Sequence, residues 1–252
     1  MICYGCFQEK GGNGSCPKCG YSDRVARPQF ALPHDALLKN RNYRIGRLLG
    51  RPGGFGVTYL GRDEGSSSLV AIKEFFPRDI VTRKQGGFLV KPNSDEDLEI
   101  LRYSLTSFLA EAKALAAVSH RNIVKVRDYF QENGTAYLVM DYYSGTNLHD
   151  YLASQVGGRL NQVDAIKLIC PILDGLHFLH GKGFLHRDIK PLNIYITTEG
   201  VPLLLDFGAA RYIVGERTQS LTVILSLGYA PLEQYQRHGN QGPWTDVYAV
   251  AA

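Results

Sequence analysis

The stretch His186-Arg187-Asp188-Ile189-Lys190-Pro191-Leu192-Asn193, followed by Asp206-Phe207-Gly208, decides how the rest of the chain is read. Asp188 offers a carboxylate as a candidate base and Lys190 a cation. Asn193 and Asp206 add oxygen donors of the kind hard divalent cations prefer. Around this cluster lies a chain of 252 residues with 44% hydrophobic and 21% charged residues, ordinary for a globular protein. The net charge of +4 is modest and no block of consecutive Lys or Arg occurs, so no nucleic-acid partner is expected. No apolar run approaches the roughly 18 residues that would span a bilayer. Met1-Ile2-Cys3-Tyr4 does not begin a signal peptide, so the expected location is cytoplasmic, with a membrane tether only if a longer product continues past residue 252.

Four of the five cysteines stand as Cys3-Tyr4-Gly5-Cys6 and Cys16-Pro17-Lys18-Cys19. Each Cys-x-x-Cys turn aims two thiolates at one point, and two such turns supply the tetrahedral sulfur shell of a structural Zn²⁺. So short a segment cannot bury a useful core, so the metal would supply most of its folding energy. Disulfides are the competing reading, disfavoured in a chain without an export signal. A redox motif would need one pair, not two. Residues 1–22 are therefore expected to form a zinc ribbon. Cys170 stands alone in an apolar helical stretch and is expected to be buried.

Residues 23–42, with Pro28 and Pro33 and little periodicity, read as a linker. Short β-rich runs follow at Tyr43 to Leu49, Gly56 to Gly61 and Leu69 to Phe75, then a helix from Phe108 to Val118. Two strands at Lys125 to Gln131 and Ala136 to Asp141 are joined by a Glu132-Asn133-Gly134 turn. The segment from Glu74 to Thr106 reads as an insertion with partial structure. Beyond Tyr142 the pattern turns helical, at Asn147 to Ser154 and at Asn161 to Gly181. The second helix has Ile166, Ile169, Ile172, Leu173, Leu176 and Leu179 on one apolar face. Strands followed by helices suggest an α+β architecture in two lobes.

The first quoted segment matches the catalytic loop of protein kinases and the second their metal-binding loop, so the chain resembles a serine/threonine protein kinase. With its cysteine segment it looks like a bacterial eukaryotic-like kinase that carries an N-terminal zinc ribbon. The resemblance implies a bilobal fold, with an N-lobe over residues 43–141 and a partial C-lobe over 142–252. It also implies transfer of the ATP γ-phosphate to Ser/Thr hydroxyls of proteins, the chain itself included. Asp188 would orient the acceptor hydroxyl, Lys190 would neutralise charge on the moving phosphoryl group, and Asn193 and Asp206 would hold Mg²⁺. Val70-Ala71-Ile72-Lys73 resembles the strand whose lysine contacts the α- and β-phosphates, with Glu111 as its helix partner. Gly50-Arg51-Pro52-Gly53-Gly54-Phe55-Gly56 stands where such proteins carry a glycine loop over the ATP phosphates. It is irregular, since the usual first glycine falls at Arg51. Met140-Asp141-Tyr142-Tyr143 matches the hinge that reads adenine, Ala71 and Leu204 or a neighbour would sandwich the ring, and Asn147 would reach the ribose.

Arg187 beside the base marks kinases that respond to charge on the activation loop, where Thr218, Ser220 and Thr222 are the candidate phosphorylation sites. Ser226 would lie near Asp188 and Lys190. Trp244-Thr245-Asp246-Val247-Tyr248 looks like the start of the helix whose aspartate braces the catalytic loop. The resemblance ends a few residues later, so the chain reads as a kinase truncated in the C-lobe. The alternative reading is an inactive truncated kinase serving as a nucleotide-binding or scaffolding module. A third is an adaptor that works through its ribbon.

Overall fold

The computed structural model describes residues 1–252 apart from 13, 51, 207–210, 213–227 and 237–238, and the chain divides into two units. The first comprises Met1–Lys113 and Val126–Tyr142. Its strands are β1 (Leu37–Leu38), β2 (Tyr43–Leu48), β3 (Gly56–Asp63), β4 (Leu69–Phe75), β5 (Val81–Arg83), β6 (Val90–Pro92), β7 (Val126–Glu132) and β8 (Thr135–Asp141). Six of them form one antiparallel sheet in the order β1-β2-β3-β4-β8-β7. In β4 burial alternates strictly, with Val70, Ile72 and Glu74 buried and Ala71, Lys73 and Phe75 partly open. Period-two alternation is what a strand with two unlike faces requires. Asn133 and Gly134 both have positive φ and form the two-residue link between β7 and β8, the geometry that matches strand twist.

Residues 23–42 are not a free tether. Ala31, Leu32, Ala36 and Leu38 belong to the core beneath the sheet, and the Leu32 amide donates to the Tyr59 hydroxyl at 3.1 Å. The segment lacks periodicity because it packs as an irregular strap, with contacts at uneven spacing.

The span read as an insertion is also structured. It holds the β5–β6 hairpin and the first half of α1 (Asp95–Ala116), which begins thirteen residues earlier than its apolar pattern suggested. Polar residues dominate that first half, and Leu101 and Leu105, one helical turn apart, are its buried contacts. Asp95, Glu96 and Asp97 suit the positive end of the helix dipole, and the Ser94 hydroxyl accepts from the Asp97 amide at 3.1 Å. The hairpin is tied to the sheet by a buried ion pair of Arg83 with Glu74. The Tyr59 and Tyr137 hydroxyls each donate to the same carboxylate at 2.9 Å, and Arg83 donates to the carbonyls of Phe30 and Phe88. Every polar atom of a costly buried charge is thereby matched.

The second unit comprises Ala114–Lys125 and Tyr143–Ala252. Its elements are β9 (Gly145–Asn147), α2 (Leu148–Ala153), α3 (Gln162–Gly181), β10 (Phe184–Leu185), β11 (Ile194–Thr197), β12 (Pro202–Leu204), β13 (Arg211–Tyr212), α4 (Leu232–Tyr235) and α5 (Pro243–Ala251). β12, β11 and β9 form a small sheet, and β10 pairs with β13. Asn147 and Asn161 cap α2 and α3, each side-chain oxygen accepting from the amide three residues on. α3 buries Ile172, Leu176 and Leu179, but Ile166 and Leu173 of its expected apolar face are exposed. Cys170 is exposed as well, a correction to its expected burial. Burial along α3 is concentrated in its C-terminal half, against β10 and β12, so apolar spacing alone overstated the buried stripe.

Candidate active site

The loop after β10 is fixed by Asp246 of α5, which is itself fully buried. Asp246 accepts the His186 amide on Oδ2 at 2.8 Å, the Arg187 amide on Oδ1 at 2.7 Å, and His180 Nε2 on Oδ2 at 2.8 Å. Burial alone would raise its pKa. The hydrogen bonds from His180 and the two amides outweigh burial and hold the carboxyl below the usual range. These contacts hold Arg187 in the left-handed region, at φ 64°. His186 is wholly buried, accepts the Asp188 amide on Nδ1 at 3.3 Å and donates from Nε2 to the Leu205 carbonyl at 3.0 Å. Burial, only partly offset by Asp246, pushes its pKa down and keeps the ring neutral, as this donor–acceptor pattern requires.

On this base the candidate side chains Asp188, Lys190 and Asn193 converge. Lys190 Nζ lies 2.9 Å from both carboxylate oxygens of Asp188. Asn193, buried in a 3-10 turn over Pro191–Asn193, donates from Nδ2 to the Asp188 carbonyl and to its Oδ2, both at 2.8 Å. That orientation leaves Oδ1 as the atom of Asn193 able to meet a cation. The Leu205 amide donates to the Asn193 carbonyl at 2.9 Å, which fixes the backbone next to Asp206, a residue also in the left-handed region at φ 63°. The Gln234 side chain donates to the Arg187 carbonyl at 2.9 Å, a brace that no motif announced. Asn147 spends its oxygen and nitrogen on Asp150 as the α2 cap, and the Tyr143 carbonyl accepts from the Tyr195 hydroxyl at 3.2 Å. Thr218, Ser220, Thr222 and Ser226 lie outside the described residues, as do Phe207 and Gly208.

In the first unit, Ala71 pairs with Met140 and Lys73 with Leu138 across β4 and β8, so Ala71, Lys73 and Met140 share one sheet face. Asp141, the last residue of β8, forms an ion pair with Arg127. A Cβ on Gly56 would lie 2.9 Å from the Glu74 carbonyl oxygen and 3.4 Å from Lys73 Cε, so only glycine lets the loop pass the lysine stem there. Gly50 takes φ 66°, and Gly53 and Gly54 have open space where a Cβ would stand. The Gly54 and Phe55 carbonyls accept from the Arg78 and Phe76 amides at 3.1 and 2.9 Å. Glu111 is half-buried on α1 beside buried Ala112. Phe108, one turn earlier on the same helix side, meets the ring of Phe75 at 5.3 Å, and Phe75 stands two residues after Lys73 on the same strand face. The helix side that carries Glu111 thus packs on the strand face that carries Lys73.

At the N-terminus the two Cys-x-x-Cys turns repeat one geometry. Cys3 N donates to the Gln8 carbonyl and Phe7 N to the Cys3 carbonyl, while Cys16 N donates to Tyr21 and Gly20 N to Cys16. Phe7 and Gly20 occupy the equivalent left-handed position. Cys3 and Cys19 sulfurs are 3.7 Å apart, Cys6 and Cys16 sulfurs 3.9 Å, and all four lie within 4.8 Å of one another. These separations exceed a disulfide bond and match the roughly 3.8 Å edge of a tetrahedron with arms of about 2.3 Å. The Gly5 amide donates to Cys3 Sγ at 3.3 Å, as suits a thiolate ligand.

The protein kinase domain model matches residues 43–252. Calcium-dependent protein kinase 4 of Plasmodium berghei is 29% identical over 199 residues, 77% of this chain and 34% of that protein. The probable serine/threonine-protein kinase PknB of Lactococcus lactis is 32% identical over 211 residues, 82% of this chain and 30% of that protein. The chain spans about a third of the length of these curated relatives. The solved structure "PpkA-294 apo form" is 34% identical with a TM-score of 0.75, and the match covers 88% of this chain and 76% of that one. With the Asp188 cluster, the Lys73 strand and a match over the whole of residues 43–252, this chain belongs to the protein kinase domain family.

Proposed function

We propose that the chain is an ATP- and magnesium-dependent protein serine/threonine kinase carrying a structural zinc ribbon, acting in the cytoplasm on protein substrates, itself included. The observation that carries this reading is the Asp188 carboxylate held by Lys190 and Asn193 on a loop pinned by Asp246. Asp188 orients the acceptor hydroxyl and takes its proton as that oxygen bonds to the γ-phosphorus and the bond to the β,γ-bridging oxygen breaks. Lys190 offsets the negative charge on the phosphoryl group in transit, and Lys73 contacts the phosphates that leave as ADP. Asn193 Oδ1 and the Asp206 carboxylate are hard oxygen donors that suit Mg²⁺, which when bound neutralises phosphate charge. Cys3, Cys6, Cys16 and Cys19 fit Zn²⁺ by sulfur spacing and by the Gly5 amide aimed at sulfur. Among the described residues no helix is long and apolar enough to cross a membrane.

Transfer of label from γ-labelled ATP to the chain, or to a generic Ser/Thr protein substrate, tests the reading. The wild type is expected to incorporate label, and Asp188→Asn to lower the rate by about 100-fold or more. No label on a folded, nucleotide-binding wild type would sink the proposal and leave a binding module.

A further inference from the structure

β2 and β3 pair in register from Tyr43↔Asp63 to Ile45↔Gly61, then resume at Leu48↔Tyr59. Gly46 and Arg47 form the irregularity between, where the Arg47 amide and the Gly46 carbonyl are bonded outside β3. The ribbon and the strap take them up. The Arg47 amide donates to the Tyr4 carbonyl at 2.8 Å, and Arg47 Nε donates to the Gly5 carbonyl at 3.3 Å. Arg27 of the strap donates to the Gly46 carbonyl at 3.1 Å. The approach is so close that a Cβ on Gly46 would lie 2.5 Å from the Tyr4 oxygen and 2.8 Å from the Phe7 ring. A second anchor stands beside it, where the Tyr4 ring stacks on His34 at 4.9 Å and Tyr21 hydrogen-bonds to His34 Nε2 at 2.9 Å.

Two facts of sequence give this docking a consequence. Tyr4 and Gly5, the residues that accept from Arg47, are the two between the ligands Cys3 and Cys6, so a coordinated metal fixes the backbone that meets β2. Gly46 and Arg47 are also the last residues of β2 before Leu48 and the glycine loop. A strand that loses its bulge partner can re-pair one residue along, which shifts the following loop by about 3.3 Å. A register change at the bulge would therefore link metal occupancy on one side to loop geometry on the other.

We propose that the ribbon is a positioning element for the glycine loop, so that metal binding to the four cysteines and nucleotide binding to the kinase site are energetically coupled through Gly46 and Arg47. This rests on the zinc and kinase readings above. Coupling is reciprocal, so it can be read from either ligand.

The test uses the full chain, zinc, a fluorescent ATP analogue with Mg²⁺, and a competing chelator of known affinity. The wild type is expected to bind one zinc, with affinity higher by about 5-fold or more when the analogue is present. Gly46→Ala keeps all four cysteines and is expected to bind one zinc with an affinity the analogue no longer changes. If zinc affinity in the wild type is the same with and without analogue, while both bind, this inference falls and both earlier readings stand. Full coupling retained in Gly46→Ala overturns the route through the bulge. Protein that never binds zinc overturns the ribbon reading and this inference with it, and protein that binds zinc but no analogue does the same for the kinase reading. Should Gly46→Ala fail to fold, the wild-type comparison decides alone.

Discussion

Asp246 shows how one side chain can hold the loop that carries Asp188. It is buried as an anion because two backbone amides and His180 neutralise it, and each of those donors would be orphaned without it. Asp246→Ala is expected to lower stability by about 3 kcal/mol, since it strands two buried amides, and to reduce phosphate transfer through loss of loop geometry. Urea titration and the label assay check the two effects separately. The carboxyl's folded pKa lies below its unfolded value of about 3.9, so its contribution is fully present above that pH and is lost as pH falls through the folded pKa. The stability gap between wild type and Asp246→Asn should therefore narrow between pH 7 and pH 3. A gap that stays constant would show that the charge itself contributes nothing. Asp246 was legible as a brace because it sits in a recognisable run, whereas Gln234, which performs a similar task on the Arg187 carbonyl, has no sequence signal at all.

The β5–β6 hairpin joins the sheet through Arg83, whose guanidinium and the Glu74 carboxylate are both fully buried. Removal of one partner leaves an uncompensated buried charge, so Arg83→Leu should cost about 3 kcal/mol, read as a shift of the denaturation midpoint. Glu74→Leu with Arg83→Leu should be less destabilised than the two single losses summed. Strict additivity in that cycle would mean the pair is not coupled. Strand β4 could be read to its ends from sequence, because a strand with one buried and one working face must alternate. Helix α1 could not, since its first half is polar and gains its place from acidic residues at the N-terminus and two leucine contacts. The strap over residues 23–42 was illegible for the opposite reason, in that it buries apolar residues without any period.

On the scale of the whole molecule, thiol accessibility separates the two kinds of cysteine. Cys170 is exposed on α3, while the other four cysteines share one sulfur cluster. A maleimide titration of zinc-loaded protein should find one fast-reacting thiol, and five after chelation in denaturant. Five fast thiols in the native, zinc-loaded protein would contradict a coordinated cluster. The ribbon and strap belong to the same unit as the six-stranded sheet, and a segment expected to hang from a linker instead docks on β2 beyond its short pairing with β1.

The sequence by itself determined which residues of this protein are candidates for chemistry. Asp188, Lys190, Asn193, Asp206, Lys73 and the two Cys-x-x-Cys pairs could be recognised because reactive groups demand particular residue types at particular short spacings. Only the tertiary structure decided how these groups are held: the Asp246 brace, the Glu74–Arg83 pair, and the seat of the ribbon on Gly46 and Arg47. Those contacts join residues far apart in the chain, through backbone groups that every residue carries alike. No local pattern marks such a contact before the chain has folded to make it.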